Sequence, residues 1–399
     1  MKLLPGLALI TAVLCISFLP LSRPETIHKD KPQRLIIFML DGFGEAYYRS
    51  SDMPTLNALK KKGIYKVVPS LMPSVTNLNN ASICTGVLPE RHGITGNSFI
   101  DPATQSEEFM EEDSLVLAPT LFERAKASGA VSLLFSSKKK TTGLLKRGTK
   151  ETLSPETASA LWTGRIGKAP DIYSREVNYW LMEAALYSIQ NDPEAGIFYI
   201  HTTDYPMHTW APEAPESKEH LHKLDEYIAK IIRAAPDAAI LITADHTVNH
   251  KSLCWDLGKA CAARGAGVRF AISPERDKYF KHHRGFGGAA YVYLAAPGDL
   301  ARVRAVIRQL KGIDEVLTRA EAVSRFHLMP ERIGDLMVLG DSLTVFGDLD
   351  TESEALPATY RSHGSLYEAR VPLFVYNAPQ APAAAYFTEN YKLAAWLYR

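Results

Sequence analysis

Sulfur is scarce in this chain: four cysteines in 399 residues, with no C-x-x-C spacing among them, which excludes a thiolate metal site. Cys15 falls inside the apolar opening segment. That leaves Cys84, Cys254 and Cys261, an odd number, of which Cys254 and Cys261 could pair in an oxidising compartment. Any metal must therefore be held by histidines and carboxylates. Net charge is scarce as well: 45 Lys and Arg stand against 44 Asp and Glu, a formal +1. So even a balance excludes a global electrostatic case for nucleic acid or an acidic membrane, and an anion must be bound by a local cluster. Internal repeats and low-complexity tracts are absent. The rest is ordinary globular composition, long enough for one large α/β domain with an insertion, or for two domains.

The apolar run at residues 3–21 has Lys2 before it and Arg23 after it, and reads as a targeting segment. Residues 18–22 lack a small-x-small cleavage site, and Leu14 before Cys15 is too large for lipoprotein processing. Residues 1–22 are thus expected to be a signal peptide or an uncleaved N-terminal anchor, and the protein to be exported, periplasmic or secreted. Residues 23–33, polar and holding two prolines, read as a linker.

Residues 34–40 are apolar without alternation, the pattern of a strand buried on both faces of a parallel sheet. Residues 130–135, 196–200 and 238–243 repeat it, and 370–376 is a last strand. Helices are expected at 53–63, 119–129, 177–189 and 218–234. Donor groups stand just past the strands: Asp41 after the first, Asp204 and His208 four apart after 196–200, and Asp245-His246 after 238–243. Open α/β sheets bind ligands at that edge. Lys138 and Lys140 follow 130–135 and join the candidates.

The stretch 69–97 carries the clearest chemical signal. A short extended run at 66–69 leads to a helix that opens near Thr76 and closes at Thr85-Gly86, with Pro89 beyond. Thr76 would either cap that helix, as most such threonines do, or offer its hydroxyl beside free backbone N–H groups suited to an anionic oxygen. From 268 to 340 the pattern shifts to a small α+β insertion, read as a cap over the main sheet. His282-His283-Arg284, in the first loop of that insertion, is a histidine pair without a matching carboxylate and reads as a surface loop. His363 precedes the last strand in Arg361-Ser362-His363-Gly364.

Asp41, Thr76, Asp204, His208, Asp245, His246 and His363 together supply three carboxylates, three imidazoles and a hydroxyl, enough for two neighbouring zinc-type sites. In this order they resemble the alkaline phosphatase superfamily, in the branch holding nucleotide pyrophosphatase/phosphodiesterases and phosphonoacetate hydrolases, over residues 34–399. Met72-Pro73-Ser74-Val75-Thr76-Asn77, Thr202-Thr203-Asp204-Tyr205, Arg332-Ile333-Gly334-Asp335 and Arg361-Ser362-His363-Gly364 look most like the phosphonoacetate hydrolases.

The resemblance implies an α/β fold, an alkaline-phosphatase-like three-layer sandwich with a central, mostly parallel sheet. The catalytic domain would span 34–267 and 341–399, with the cap inserted at 268–340. Two Zn2+ ions are implied, one held by Asp41, Thr76, Asp245 and His246, the other by Asp204, His208 and His363. Thr76 would be the nucleophile and Asn97 would hold a phosphoryl oxygen. Lys138 and Lys140, with Lys251 a weaker candidate, would hold a substrate carboxylate.

The implied reaction is phosphonoacetate to acetate and phosphate. Two departures bear on the substrate: Asp245-His246-Thr247 stands where the family has Asp-His-Gly, and there is an export segment. They leave two alternatives. One is an exported nucleotide pyrophosphatase/phosphodiesterase, with Tyr205, Trp210 and Phe286 as candidates for a base slot. The other is an inactive relative that binds phosphonate or zinc. The expected partner is a small anionic phosphorus compound, with no nucleic acid, membrane contact only through the N-terminal segment, and monomer or dimer left open.

Overall fold

A computed structural model describes residues 33–279 and 281–399. The targeting segment and nearly all of the linker expected before Gln33 lie outside the described residues. Seven strands build the central sheet: β1 (Leu35–Met39), β2 (Ile64–Pro69), β3 (Val131–Ser136), β4 (Glu151–Leu153), β5 (Ala195–His201), β6 (Ala239–Thr243) and β7 (Arg370–Tyr376). Their order across the sheet is β2-β7-β6-β1-β5-β3-β4. β1 pairs in parallel with both β5 and β6 and is buried along its whole length, which is why its sequence does not alternate.

Helices cover both faces. Tyr199 sends its hydroxyl to Asn80 in the helix Thr76–Thr85 and its ring edge to Phe122 in Leu121–Ala127. The next residue back, Phe198, lies on the other face of the strand under Arg34, whose guanidinium is tied to the end of the helix Glu176–Asn191. That helix packs along Pro215–Ala234.

β7 is the one strand running against the rest, and its direction matters. Arg370 at its start pairs with Pro69 at the end of β2, and Leu373 pairs with Thr243 at the end of β6. The loop before β7, with His363, therefore arrives at the same edge as the loops that follow the parallel strands.

The cap is a four-stranded antiparallel sheet, in the order Val268–Ile272, Ala289–Leu294, Leu336–Gly340, Ile313–Thr318. Its two faces divide by residue parity. Ala290, Val292, Leu336 and Val338 join Val303 and Ile307 in a core of their own, whereas Ala289, Tyr291, Met337 and Leu339 face the main core. The helix Leu257–Ala263 also packs into the cap's own core through Leu257, Ala260 and Cys261. Tyr291 donates its hydroxyl to the Thr95 carbonyl at 2.8 Å, pinning the cap beside the segment that carries Asn97. Cys84, Cys254 and Cys261 are all free and buried, so the pairing of Cys254 with Cys261 that the sequence allowed is not made. Among the described residues no helix is long and apolar enough to cross a membrane.

Candidate active site

The helix Thr76–Thr85 is buried at every position, although it carries three asparagines and two threonines. Each asparagine has work that explains its burial. Asn79 bonds the Leu71 amide and carbonyl and the Val75 carbonyl; Asn80 bonds the Thr76 carbonyl and Tyr199; Asn77 donates to the Met110 carbonyl. Val75, not Thr76, takes the cap position, and no side chain caps the helix. The Thr76 hydroxyl is thus free of the duty most threonines there perform, and it lies 3.3 Å from His246 Nε2.

Asp41 and Gly42 follow β1. Gly42 sits at φ +73°, and a Cβ there would come within 2.9 Å of the Asp204 Cβ, so glycine lets the first and fifth strand loops close on each other. Its amide donates to Asp245 Oδ1 at 3.2 Å. Thr247, the departure from the Asp-His-Gly pattern, is accommodated across from Gly44, where a Cβ would stand 2.0 Å from the threonine oxygen.

His208, His246 and His363 share one hydrogen-bond arrangement. Their Nδ1 atoms lie 2.8, 3.1 and 2.9 Å from the carbonyls of Arg361, Thr247 and Ser74. A carbonyl only accepts, so each Nδ1 holds the ring proton and each Nε2 keeps a lone pair. Those lone pairs face carboxylates: His208 Nε2 is 2.8 Å and His363 Nε2 3.7 Å from Asp204 Oδ2, and His246 Nε2 is 3.4 Å from Asp41 Oδ1. Lone pair against carboxylate is repulsive unless a cation lies between.

Protons are poor candidates for that cation at two of the three rings. Burial holds His208 below the usual imidazole range and lowers His246 to about 3, the latter helped by His363. His363 is the exception: burial opposes its charge, but Glu275, 3.1 Å from its Nε2, raises it to about 9. Burial would raise Asp41, and Asp204 would too, yet Lys138 and His201 bring it well below the usual carboxylate range. Asp245 goes the other way, pushed up by burial and then by Asp41 and Asp204.

Several buried polar atoms in this cluster have no hydrogen-bond partner, among them Asp41 Oδ1, Asp245 Oδ2 and both ring nitrogens of His282. Orphaned buried acceptors on this scale are costly, and shared divalent cations are what they fit. Three groups have ligand atoms within 4.8 Å of one another: Asp204, His246 and His363; Asp204, His208 and His282; and Asp41, His201 and Asp245. Oxygen and imidazole donors without thiolate suit a zinc-type ion. The two ligand sets implied by the resemblance are not separate in space, because Asp204 and His246 reach across both.

The remaining candidates divide. Lys138 Nζ lies 2.9 Å from Asp204 Oδ1 and 3.3 Å from Asp41 Oδ2, bridging the two carboxylates. Lys140 is buried against Asp277. Asn97 accepts from the Asn77 amide at 3.2 Å, but its own amide donors are turned to the Glu275 carbonyl and carboxylate, at 3.0 and 3.2 Å. Lys251 is drawn away from the cluster to Glu368, 2.9 Å distant and equally buried, and Glu368 in turn holds the Ser365 amide and hydroxyl. Its place is thus behind the His363 loop. Lys251→Met should cost about 3–5 kcal/mol by stranding the Glu368 carboxylate. A thermal melt should show the drop, with the KM of any phosphorus substrate unchanged and Lys251→Met/Glu368→Gln recovering part of the loss.

Phe286 lies in a small core with Cys254, Val345 and Leu349, which removes it from any base slot. The surface reading of His282 and His283 is overturned: their side chains are 3% and 1% exposed. The carboxylates they meet are Asp204, Glu275 and Asp277, the first of them far off in sequence and the other two upstream in the same loop. His201, Glu275 and Asp277 were also passed over. His201 had a usable signal, since it is the last residue of β5 at the ligand edge.

Residues 35–366 match the family of type I phosphodiesterase / nucleotide pyrophosphatase. Phosphonoacetate hydrolase from Sinorhizobium meliloti 1021, solved with phosphonoformate and with phosphonoacetate, is 30% identical, with a TM-score of 0.81 over 92% of this chain and 95% of that one. Human ectonucleotide pyrophosphatase / phosphodiesterase 5, at 15% identity, shares the fold with a TM-score of 0.64 over 91% of this chain and 93% of that one. A 93-residue segment is 40% identical to an ectonucleotide pyrophosphatase/phosphodiesterase of Caenorhabditis elegans, spanning 20% of this chain and 11% of that protein. A 70-residue segment is 40% identical to venom phosphodiesterase 2 of Crotalus adamanteus, 17% of this chain and 9% of the venom protein.

Proposed function

This chain belongs to the type I phosphodiesterase / nucleotide pyrophosphatase family of hydrolytic enzymes, within the alkaline phosphatase superfamily, and we propose that it is an exported dinuclear zinc phosphonohydrolase. Its substrate would be phosphonoacetate or a close carboxylated relative, cleaved to acetate and phosphate. The observation that carries this reading is a pair of buried ammonium groups, Lys138 on Asp41 and Asp204 and Lys140 on Asp277, in one chain with a Thr76 hydroxyl that no cap consumes and that meets His246, itself facing Asp41. The 30% identity to a phosphonoacetate hydrolase along nearly the whole chain supports it. Export rests on the apolar segment at 3–21.

Two Zn2+ ions, one with Asp41, Thr76, Asp245 and His246 and one with Asp204, His208 and His363, would lower the pKa of the hydroxyl and offset charge on the phosphoryl oxygens. The Thr76 hydroxyl gives its proton to solvent, and Oγ1 attacks phosphorus as the carbon–phosphorus bond breaks. The electron pair of that bond passes to the methylene carbon and spreads into the adjacent carboxylate. Lys138 spends two of its three N–H donors on Asp204 and Asp41, which leaves one for that carboxylate, and Lys140 adds a second positive group. The carbanion takes a proton from water and leaves as acetate. Water then hydrolyses the phosphothreonine to free phosphate and regenerate the hydroxyl.

A second reading, the nucleotide pyrophosphatase, is favoured by one feature: the rings of Tyr173 and Tyr205 gather around His282 within 6.1 Å, next to Asp204, and would suit a flat leaving group. The substrate ratio separates the two. Zinc-loaded protein should release phosphate and acetate from phosphonoacetate far faster than it cleaves a nitrophenyl phosphodiester, and the opposite ratio would establish the diesterase. Lys140→Met sharpens the test. It should raise KM for the carboxylated phosphonate by about 10–150-fold, the worth of one charge-assisted hydrogen bond, and since it also strands the buried Asp277 carboxylate, Lys140→Met/Asp277→Asn should show the same rise with the diester unaffected.

A further inference from the structure

His282 is the most poorly accounted-for polar side chain near the cluster. Its ring is held only by other rings: His283 at 4.4 Å, His208 at 4.8 Å, Tyr173 at 5.6 Å and Tyr205 at 6.0 Å between centroids. Neither nitrogen has a hydrogen-bond partner, and the side chain is 3% exposed. Stacking alone does not explain a histidine there, because phenylalanine would pack as well without burying two polar atoms. The rings instead fix a direction. Nε2 lies 3.8 Å from Asp204 Oδ1, and the ligand atoms of Asp204, His208 and His282 fall within 4.8 Å of one another.

We infer that His282 is a further metal ligand, an added protein donor to the divalent zinc-type ion held by Asp204, His208 and His363. The inference rests on the reading above, that such an ion binds there. It adds a consequence for the architecture. Asp204 and His208 come from the loop after β5, whereas His282 comes from the cap, on the connection between Val268–Ile272 and Ala289–Leu294. An ion bound by all three fastens the cap to the edge of the main sheet.

Metal binding to the full chain tests this without reference to turnover. Stripped protein is titrated with Co2+ against a chelator, with the cobalt absorption spectrum recorded for each equivalent. In His282→Ala one equivalent should weaken by more than the roughly 10–100-fold that loss of an outer-shell partner costs. Its spectrum should change while the other equivalent keeps both affinity and spectrum, and added imidazole should restore the first. His282→Asn, which keeps a polar side chain of smaller reach, should behave as the alanine variant does and guards against a fold defect. If both equivalents bind either folded variant as they bind the parent, His282 is not a ligand and only this inference falls, whatever happens to KM. If the parent protein itself takes up no Co2+ or Zn2+, the two-metal reading falls with it.

Discussion

Thr76→Ala is expected to abolish turnover, by about 10⁴-fold or more, while the protein folds and still takes up metal, more weakly at the site where Thr76 is one of four donors. The size of the loss follows from the chemistry: with no oxygen at this position the phosphoryl group has no acceptor on the protein, and losses of this order accompany removal of a nucleophile elsewhere. Retention of the fold follows from the geometry. Thr76 does not cap its helix, and its hydroxyl touches only His246 Nε2 at 3.3 Å, so the deletion strands no buried donor. The change in stability should stay within about 1 kcal/mol. Phosphate release and a thermal melt on the same preparation decide the matter. Thr76→Ser should keep measurable activity, since it keeps the oxygen. A Thr76→Ala variant that retains more than about one part in a hundred of the parent rate removes Thr76 from the mechanism. If the parent binds a phosphonate with no turnover and the variant binds it equally well, the chain is a binding protein, not a hydrolase.

The central sheet was legible because burial on both faces writes an unalternating apolar run, and four of its strands announced themselves in that way. The donors at their ends, Asp41, Asp204, Asp245 and His246, could be picked out by position alone. His363 was different. A histidine ahead of the last strand reaches the site only because β7 runs antiparallel, and pairing direction is not written in the local pattern. His282 was missed for a related reason: a histidine pair in a glycine-containing loop gives no local sign of a carboxylate that lies 78 positions earlier, at Asp204. Lys251 was over-read because its true counter-charge, Glu368, lies 117 residues further along. Long-range electrostatic pairing decided all three, and it follows topology, which apolar periodicity determines only in part.

The same pairing sets the second large effect, that of removing metal. Asp41, Asp204, Asp245, Glu275 and Asp277 are five carboxylates buried in one cluster, against two buried ammonium groups, Lys138 and Lys140, and the His363 imidazole that Glu275 raises. Such an excess of negative charge is unfavourable in a dry interior, and divalent ions offset it. Dialysis against a chelator should therefore cut activity to background and also lower the melting temperature. An ion kept at a thousand times its dissociation constant contributes about 4.1 kcal/mol to the folded state. Returning Zn2+ should restore both the rate and the melting temperature. Asp204→Asn makes the effect local, since Asp204 faces Lys138, His208, His282 and His363. That variant should hold one equivalent of metal fewer per chain by elemental analysis, lose at least about 10³-fold in rate, and regain neither when zinc is added back. Protein shown to be metal-free that still turned over at the parent rate would mean the carboxylates are balanced in some other way and that Thr76 acts without a metal beside it.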